Sequence, residues 1–310
     1  MSEEKKDFID PQVLSRLSQY LLTTPLPMIG TVTGHHKSPH KGASVEFAEY
    51  RKYVPGDDIR RLDWRVYART DRFYVKEFEA DTNLRCYLVI DSSGSMDFHS
   101  EGYDTKLQYS RKLAATLAYL AIQQGDAVGI HCFGEDKIVD IPPRRNPTHL
   151  KVIFDALEKV KASGKTNLIA LLHEFAERIK QRAMVIIFSD FFCDLNELIN
   201  CFQHLRFQKH DLALFHLLDP QELEFPFEYP TRFLDMEAPG SLLTEPSIVK
   251  KQYLKNLEEF LNAISFNCRQ FNADYRRVIT SEDYEKVLAN FLLERNVKSR
   301  ARSRGGSGGR

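Results

Sequence analysis

From residue 84 onward, short apolar runs alternate with amphipathic stretches, and this alternation limits the fold more than any other feature of the chain. Residues 84–91, 127–133, 183–189 and 211–218 are dense in Val, Ile, Leu and Phe. They are bounded by Gly, Ser, Asp or Asn, as expected of buried strands. Between them, residues 105–124, 147–160, 167–181 and 194–207 carry apolar side chains at helical spacing, and residues 137–141 suit a short edge strand. Strands that alternate with helices in this way predict an α/β domain with a doubly wound, mostly parallel sheet. A further helix over 245–272, a strand over 274–279 and a helix over 282–295 follow.

The flanks read differently. Asp10-Pro11 is a helix start, an N-cap followed by proline at N1, and Val13, Leu14, Leu17, Leu21 and Leu22 mark an amphipathic helix over 8–24. Residues 25–80 are irregular and β-rich, with turns at Thr33-Gly34, Lys41-Gly42 and Pro55-Gly56-Asp57-Asp58. The end of the chain, 298–310, alternates Arg with Ser and Gly and is expected to be disordered. Four regions result: an N-terminal helix and β-rich segment (1–80), the α/β domain (81–240), a helix-strand-helix extension packed on it (241–297) and the tail (298–310).

With 310 residues, 43% of them hydrophobic, the chain can bury one large core with additions. Lys plus Arg equals Asp plus Glu at 43 each, so no excess charge favours nucleic acid or an anionic membrane. The five cysteines, Cys86, Cys132, Cys193, Cys201 and Cys268, are scattered, mostly within apolar runs, and form no Cys-x-x-Cys pair. Reduced packing cysteines in a cytoplasmic protein are the expectation. Residues 1–7 are charged and lack the apolar centre of a signal peptide. The longest apolar stretch, 113–122, falls short of the ~18 residues that a membrane span needs.

Chemistry concentrates where two apolar runs end. Asp91-Ser92-Ser93-Gly94-Ser95-Met96 follows Cys86-Tyr87-Leu88-Val89-Ile90 and places a carboxylate and two hydroxyls, Asp91, Ser93 and Ser95, in one loop. Asp190 closes the run from Ala183 to Ser189. Thr166, in Gly164-Lys165-Thr166-Asn167, stands at the start of the 167–181 helix. Loops beyond the carboxyl ends of parallel strands are where such sheets bind ligands. An oxygen-only donor set with few charges suits Mg²⁺ or Mn²⁺ better than zinc. The plainer reading is a turn and helix N-cap, for which Asp and Ser are favoured without any metal. Two other phosphate chemistries fail on their residues. An aspartyl-nucleophile phosphatase needs a second carboxylate where Ser93 stands. A Walker A loop ending at Thr166 needs glycine where Lys159 stands.

The order Asp-x-Ser-x-Ser, then Thr, then Asp after a later strand resembles the metal-ion-dependent adhesion site of von Willebrand factor A domains. Asp91, Ser93, Ser95, Thr166 and Asp190 all match. A second resemblance spans nearly the whole chain. Gly34-His35-His36, Ser38-Pro39, Gly42, Glu46-Phe47, Tyr50-Arg51, Tyr53, Pro55-Gly56-Asp57-Asp58, Arg60, Asp63-Trp64 and Ala68-Arg69 resemble a bacterial family numbered fifty-eight among domains of unknown function. The likeness continues through Val75-Lys76, Phe78-Glu79, Lys106, Asp126, Val128-Gly129, Ser189-Asp190-Phe191 and Asp219-Pro220-Gln221-Glu222. The chain departs from that family at Lys165, where small residues usually precede the threonine, and in lacking the membrane helices that precede this block in many relatives.

These resemblances imply a von Willebrand factor A-like fold and a Mg²⁺ or Mn²⁺ ion open to a carboxylate from a protein partner. They also imply association with a MoxR-type AAA+ ATPase, in an adaptor or chaperone-like role rather than an enzymatic one. The alternative is a Mg²⁺-dependent hydrolase or phosphotransferase. That would need a base near the strand ends, where the sequence offers Asp97, His99 and Asp194. The Arg-rich region from Arg60 to Arg72 around the lone Trp64 suits an ion-pair network or a recognition surface. His35, His36 and His40 are expected to be satisfied or solvent-facing, because Pro39 breaks any helix that would align them.

Overall fold

The computed structural model describes residues 6–24, 36–37, 46–54, 62–79, 81–82, 84–134 and 139–305. It divides into two compact units, one of residues 1–25 with 85–310 and one of residues 26–84. In chain order the elements of the first half are α1 (Pro11–Leu17), β1 (His36–Lys37), β2 (Glu46–Lys52), α2 (Trp64–Thr70), β3 (Tyr74–Glu79), β4 (Asp81–Thr82), β5 (Arg85–Asp91), α3 (Lys106–Gln123), β6 (Ala127–Phe133), β7 (Val139–Arg144) and α4 (Thr148–Lys159). Then follow α5 (Leu168–Arg178), β8 (Met184–Ser189), α6 (Leu195–Phe207), β9 (Asp211–Leu218), α7 (Pro220–Glu224), β10 (Thr231–Leu234), β11 (Ser241–Thr244), α8 (Pro246–Gln270), β12 (Asp274–Ile279) and α9 (Tyr284–Gly305).

The larger unit is built on a six-stranded sheet in the order β12-β9-β8-β5-β6-β7. Every neighbouring pair is parallel except β6 with β7. β5, β6, β8 and β9 are almost wholly buried, which is why they read as continuous apolar runs rather than alternating ones. Edge strand β7 instead alternates between half-buried and exposed residues. It carries Pro142 and Pro143, which only an edge accommodates.

Side chains from alternate strand positions divide between the faces. Val89, Val185, Ile187 and Leu214 pack with Leu172 and Phe175 of α5, Leu198 and Phe202 of α6 and Ile264 of α8. On the opposite face Phe188 meets Phe215, which meets Phe291 of α9 at 5.0 Å between ring centroids. From β5 the chain winds one way into β6, and from β8 it winds the other way into β9. The carboxyl ends of β5 and β8 therefore flank the point where the winding reverses.

Helix ends follow local chemistry. Thr105 and Gln108 form a reciprocal capping box on α3, Asp194 caps α6, and Asp219 with Glu222 caps α7. All five cysteines are free, and all but Cys193 are buried. Among the described residues no helix is long and apolar enough to cross a membrane.

Three expected boundaries move. α1 belongs to the larger unit, where Phe8 meets Phe154 edge-on at 6.3 Å and Lys6 pairs with Asp155 at 2.5 Å. Residues 274–279, expected in an extension packed on the domain, are the sixth strand of its sheet, paired in parallel with β9. The tail expected to be disordered from 298 is helical to Gly305. Lys, Arg and Ala favour helix, and Lys298 is held by an ion pair to Asp274. Residues 306–310 lie outside the described part.

In the smaller unit β2 and β3 pair antiparallel, with a register shift between Phe47 and Glu49. The side chain of Asp63 caps α2, accepting from the amides of Arg65 at 2.9 Å and Val66 at 3.3 Å. Tyr67 stacks on Phe73 at 4.4 Å. Trp64 is 60% exposed, and Arg60 and Arg61 of the Arg-rich region around it lie outside the described residues. The Pro55-Gly56-Asp57-Asp58 turn, the turns at Thr33-Gly34 and Lys41-Gly42, and His35 and His40 lie outside the described residues, and His36 is in β1.

Candidate metal site

The site grows from the last residue of β5. Asp91 is buried, and its two oxygens are already engaged. Oδ1 accepts from the Ser93 amide at 2.9 Å and Oδ2 from the Ser189 hydroxyl at 2.6 Å. The Ser189 hydroxyl accepts in turn from the Phe191 amide at 2.9 Å, so the end of β8 holds the Asp91 carboxylate in place. Beyond Asp91 the Ser92 amide donates to the Phe133 carbonyl at 2.8 Å, and a 3-10 turn spans Gly94–Asp97. That turn sets the Ser93 and Ser95 hydroxyls 3.0 Å apart.

Thr166 arrives on a loop stitched to this turn. The Ser163 amide donates to the Ser92 carbonyl at 3.1 Å, and the Gly94 amide to the Gly164 carbonyl at 2.9 Å. Asn167 then caps α5 by accepting from the Ala170 amide at 3.1 Å. The Thr166 hydroxyl is buried and has no hydrogen-bond partner among the described residues. A buried hydroxyl left without a partner costs about 1–3 kcal/mol, so its position calls for a ligand.

Asp190 follows β8 directly and is buried. Its Oδ2 accepts from Lys106 Nζ at 2.7 Å. Burial and then the negative charge of Asp190 push the Asp91 carboxyl up to about 6. The two carboxylates thus share one field and repel each other, the condition a cation relieves. All five residues read from the sequence lie on three loops at one end of adjacent strands. Two carboxylates, a pair of adjacent hydroxyls and an orphaned third hydroxyl form a hard-oxygen donor set, and these residues fit Mg²⁺ or Mn²⁺. Among the described residues no cluster of three or more His, Cys, Asp or Glu forms a metal cage. A cation here would depend on the hydroxyls and on water.

Two features of the site had no counterpart in the motif. One is Lys106 with Glu222, 2.8 Å apart. A lysine in the first turn of a helix opposes the helix dipole, and that misplacement was the available signal that anions await it. The other is the turn between β10 and β11. A Cβ on Gly94 would lie 2.1 Å from the Met236 carbonyl oxygen. No side chain fits there without moving that turn. Gly94→Ala is expected to lower stability by about 1–3 kcal/mol, as overpacking does, and to weaken Mn²⁺ binding together with it. Urea denaturation and Mn²⁺ titration check both.

The three residues that the sequence offers as a base are differently placed. The Asp194 carboxylate caps α6, accepting from the amides of Asn196 at 2.9 Å and Glu197 at 3.0 Å. His99 Nδ1 lies 3.2 Å from the Ser100 carbonyl, and Asp97 is exposed.

The model of the family described as "Protein of unknown function DUF58" matches residues 49–257. The chain belongs to that family. This DUF58 chain is 28% identical over 225 residues to the uncharacterized protein Rv1480 of Mycobacterium tuberculosis, covering 71% of this chain and 69% of the relative. It is 26% identical over 112 residues to YeaD of Bacillus subtilis, covering 36% and 26% respectively. Among solved structures it is similar to BatB from Bacteroides thetaiotaomicron, with 13% identity, a TM-score of 0.47 and coverage of 69% of this chain and 99% of the other. It is also similar to the VWA domain of SpRpn10, with 12% identity, a TM-score of 0.40 and coverage of 67% and 95%. The doubly wound topology of the DUF58 chain rests on its own strand order rather than on these likenesses.

Proposed function

We propose that this protein is a divalent-metal-dependent protein-interaction module. Asp91, Ser93, Ser95, Thr166 and Asp190 would hold Mg²⁺ or Mn²⁺, and a carboxylate from a partner protein would complete the coordination. The observation that supports the reading is the Thr166 hydroxyl, buried and without a hydrogen-bond partner among the described residues, on a loop whose backbone bonds to Ser92 and Gly94 in the turn after Asp91. When bound, such an ion supplies Lewis acidity and a position open to an oxygen anion. Asp91 is oriented for this by the Ser93 amide and the Ser189 hydroxyl, and Asp190 by Lys106.

The surroundings favour a protein as ligand. Phe192, two residues past Asp190, is half-exposed, and so is Met236, whose carbonyl abuts Gly94. Leu234, Leu242 and Leu243 on the same hairpin are largely exposed. Exposed apolar side chains beside a polar centre, as Phe192 and Met236 are here, suit a partner-binding surface. The partner class implied by the family resemblance is a MoxR-type AAA+ ATPase, for which this chain would act as an adaptor. The hydrolase reading has less support, because Asp194 is committed to its helix cap.

Purified protein with Mg²⁺ is expected to release no phosphate from nucleotides or phosphoesters in a steady-state assay. Turnover by the protein alone that disappears in Ser93→Ala would overturn the module reading in favour of the hydrolase.

A further inference from the structure

Lys106 is the most unusual charge in the molecule. It is fully buried, yet its ammonium nitrogen reaches both Asp190 Oδ2 at 2.7 Å and Glu222 Oε1 at 2.8 Å. It lies 5.2 Å from the ring centroid of Phe192 and 5.8 Å from that of Phe98. Neither partner is free to drift. The other Glu222 oxygen accepts from the Asp219 amide at 2.7 Å, and the Tyr253 hydroxyl donates to the Glu222 carbonyl at 2.9 Å. Asp219 is itself fully buried and accepts from the Ser100 amide at 2.8 Å, the Ser100 hydroxyl, the Gln221 amide at 2.9 Å and the Thr280 hydroxyl at 3.3 Å. A continuous bonded network therefore runs from the end of β9 through Glu222 and Lys106 to Asp190.

One consequence is chemical. Asp190 Oδ2 is committed to the ammonium, while Oδ1 has, among the described residues, the Phe192 amide at 3.5 Å, the outer limit of a hydrogen bond. Asp190 thus offers a cation one oxygen and a charge already partly balanced. We infer that Lys106 and Glu222 are a counterpoised pair that sets the divalent-cation affinity of the site, Lys106 holding it down and Glu222 holding Lys106 back. The inference rests on the metal reading above and adds its regulation. An ion that the chain alone binds weakly is bound more tightly when an anionic partner is present. By linkage the partner's carboxylate is then also bound more tightly when the ion is present.

The two charges make opposite predictions, which distinguishes a tuning role from a merely structural one. The probe is Mn²⁺ alone, titrated into the full chain and followed by the loss of free-ion signal in electron paramagnetic resonance. Lys106→Met is expected to tighten Mn²⁺ binding at least tenfold, because it frees Asp190 Oδ2 and removes a positive charge from a buried site. Glu222→Gln is expected to weaken it several-fold, because the ammonium then bears on Asp190 without a counter-charge. Damage to the fold weakens binding and does not tighten it. Should Lys106→Met fail to fold, Glu222→Gln decides: weaker binding at wild-type stability in urea supports the inference, and unchanged affinity, or weakening that comes only with lost stability, overturns it. Measurable wild-type binding that is unchanged or weaker in Lys106→Met overturns the inference and leaves the metal reading standing. No Mn²⁺ binding by any of the three proteins overturns both.

Discussion

Arg295→Met is expected to cost roughly 3–5 kcal/mol of folding free energy, the range for removing one member of a buried ion pair. Arg295 is fully buried although it is one of the largest polar side chains in the protein. Its guanidinium bonds the Asp211 carboxylate, pairs with Asp274 at 2.5 Å and donates through Nε to the Thr23 carbonyl at 2.8 Å. It thereby ties α9 to β9, to β12 and to the segment that follows α1. Methionine fills much of the volume but leaves the buried Asp211, among the described residues, with the Thr24 hydroxyl 2.7 Å away as its remaining side-chain partner. The pH dependence carries the same signature. Burial raises the Asp274 carboxyl, but the charges of Arg295 and Lys298 outweigh it and hold the group below its ordinary value. A carboxyl depressed in the folded state lends stability above its unfolded value of about 3.9, and that stability is lost as pH falls further. Urea denaturation at pH 7 and at pH 3 should show the variant's deficit shrinking in acid. A deficit below about 1 kcal/mol at pH 7 would mean that the network does not hold these elements together.

Asp91→Asn is expected to act in the opposite direction on the metal-free protein. The wild-type carboxyl is raised by burial and by Asp190. The charge it carries above about 6 therefore costs stability, a cost that is absent below the unfolded value and grows as pH rises between the two. Asparagine removes that cost, and its side-chain oxygen still accepts one of the two bonds made to Asp91. The variant should melt at or above the wild type at pH 8, by on the order of 1–2 kcal/mol, with no such advantage at pH 4. Added Mg²⁺ should raise the melting temperature of the wild type and leave Asp91→Asn unmoved. A variant that melts well below the wild type at pH 8 would show that the carboxylate serves as a cap for the Ser93 turn rather than as a ligand.

The sheet was legible because four of its strands are buried on both faces, and such strands announce themselves as continuous runs of Val, Ile, Leu and Phe. The candidate site could be drawn from the sequence for a related reason. Two of those runs end in aspartate, and parallel neighbours bring their ends together, so Asp91 and Asp190 could be joined without knowing any contact. Lys106 could not be placed in the same way. Its partners lie 84 and 116 residues away, and no local pattern reports a pairing at that range. The β10–β11 hairpin escaped notice because its strands are four residues each, and Leu234, Leu242 and Leu243 face solvent, so there is no alternation to detect. The end of α9 was misjudged for the reverse reason. Residues 298–305 lack an apolar face, yet their helix propensity and the Lys298–Asp274 pair continue a helix already anchored by Leu288, Phe291, Leu292 and Arg295.

The proposed ion would be held by donors from the β5 loop, the loop before α5 and the end of β8. Mn²⁺ titration of the full chain, with bound ion counted by electron paramagnetic resonance, tests it most directly when Asp91→Asn and Thr166→Val are measured beside the wild type. Thr166→Val removes only the orphaned hydroxyl and so leaves no other bond broken. One Mn²⁺ is expected per wild-type chain, none in Asp91→Asn and at least tenfold weaker binding in Thr166→Val. No binding by the wild type, or equal binding by all three proteins, would contradict it.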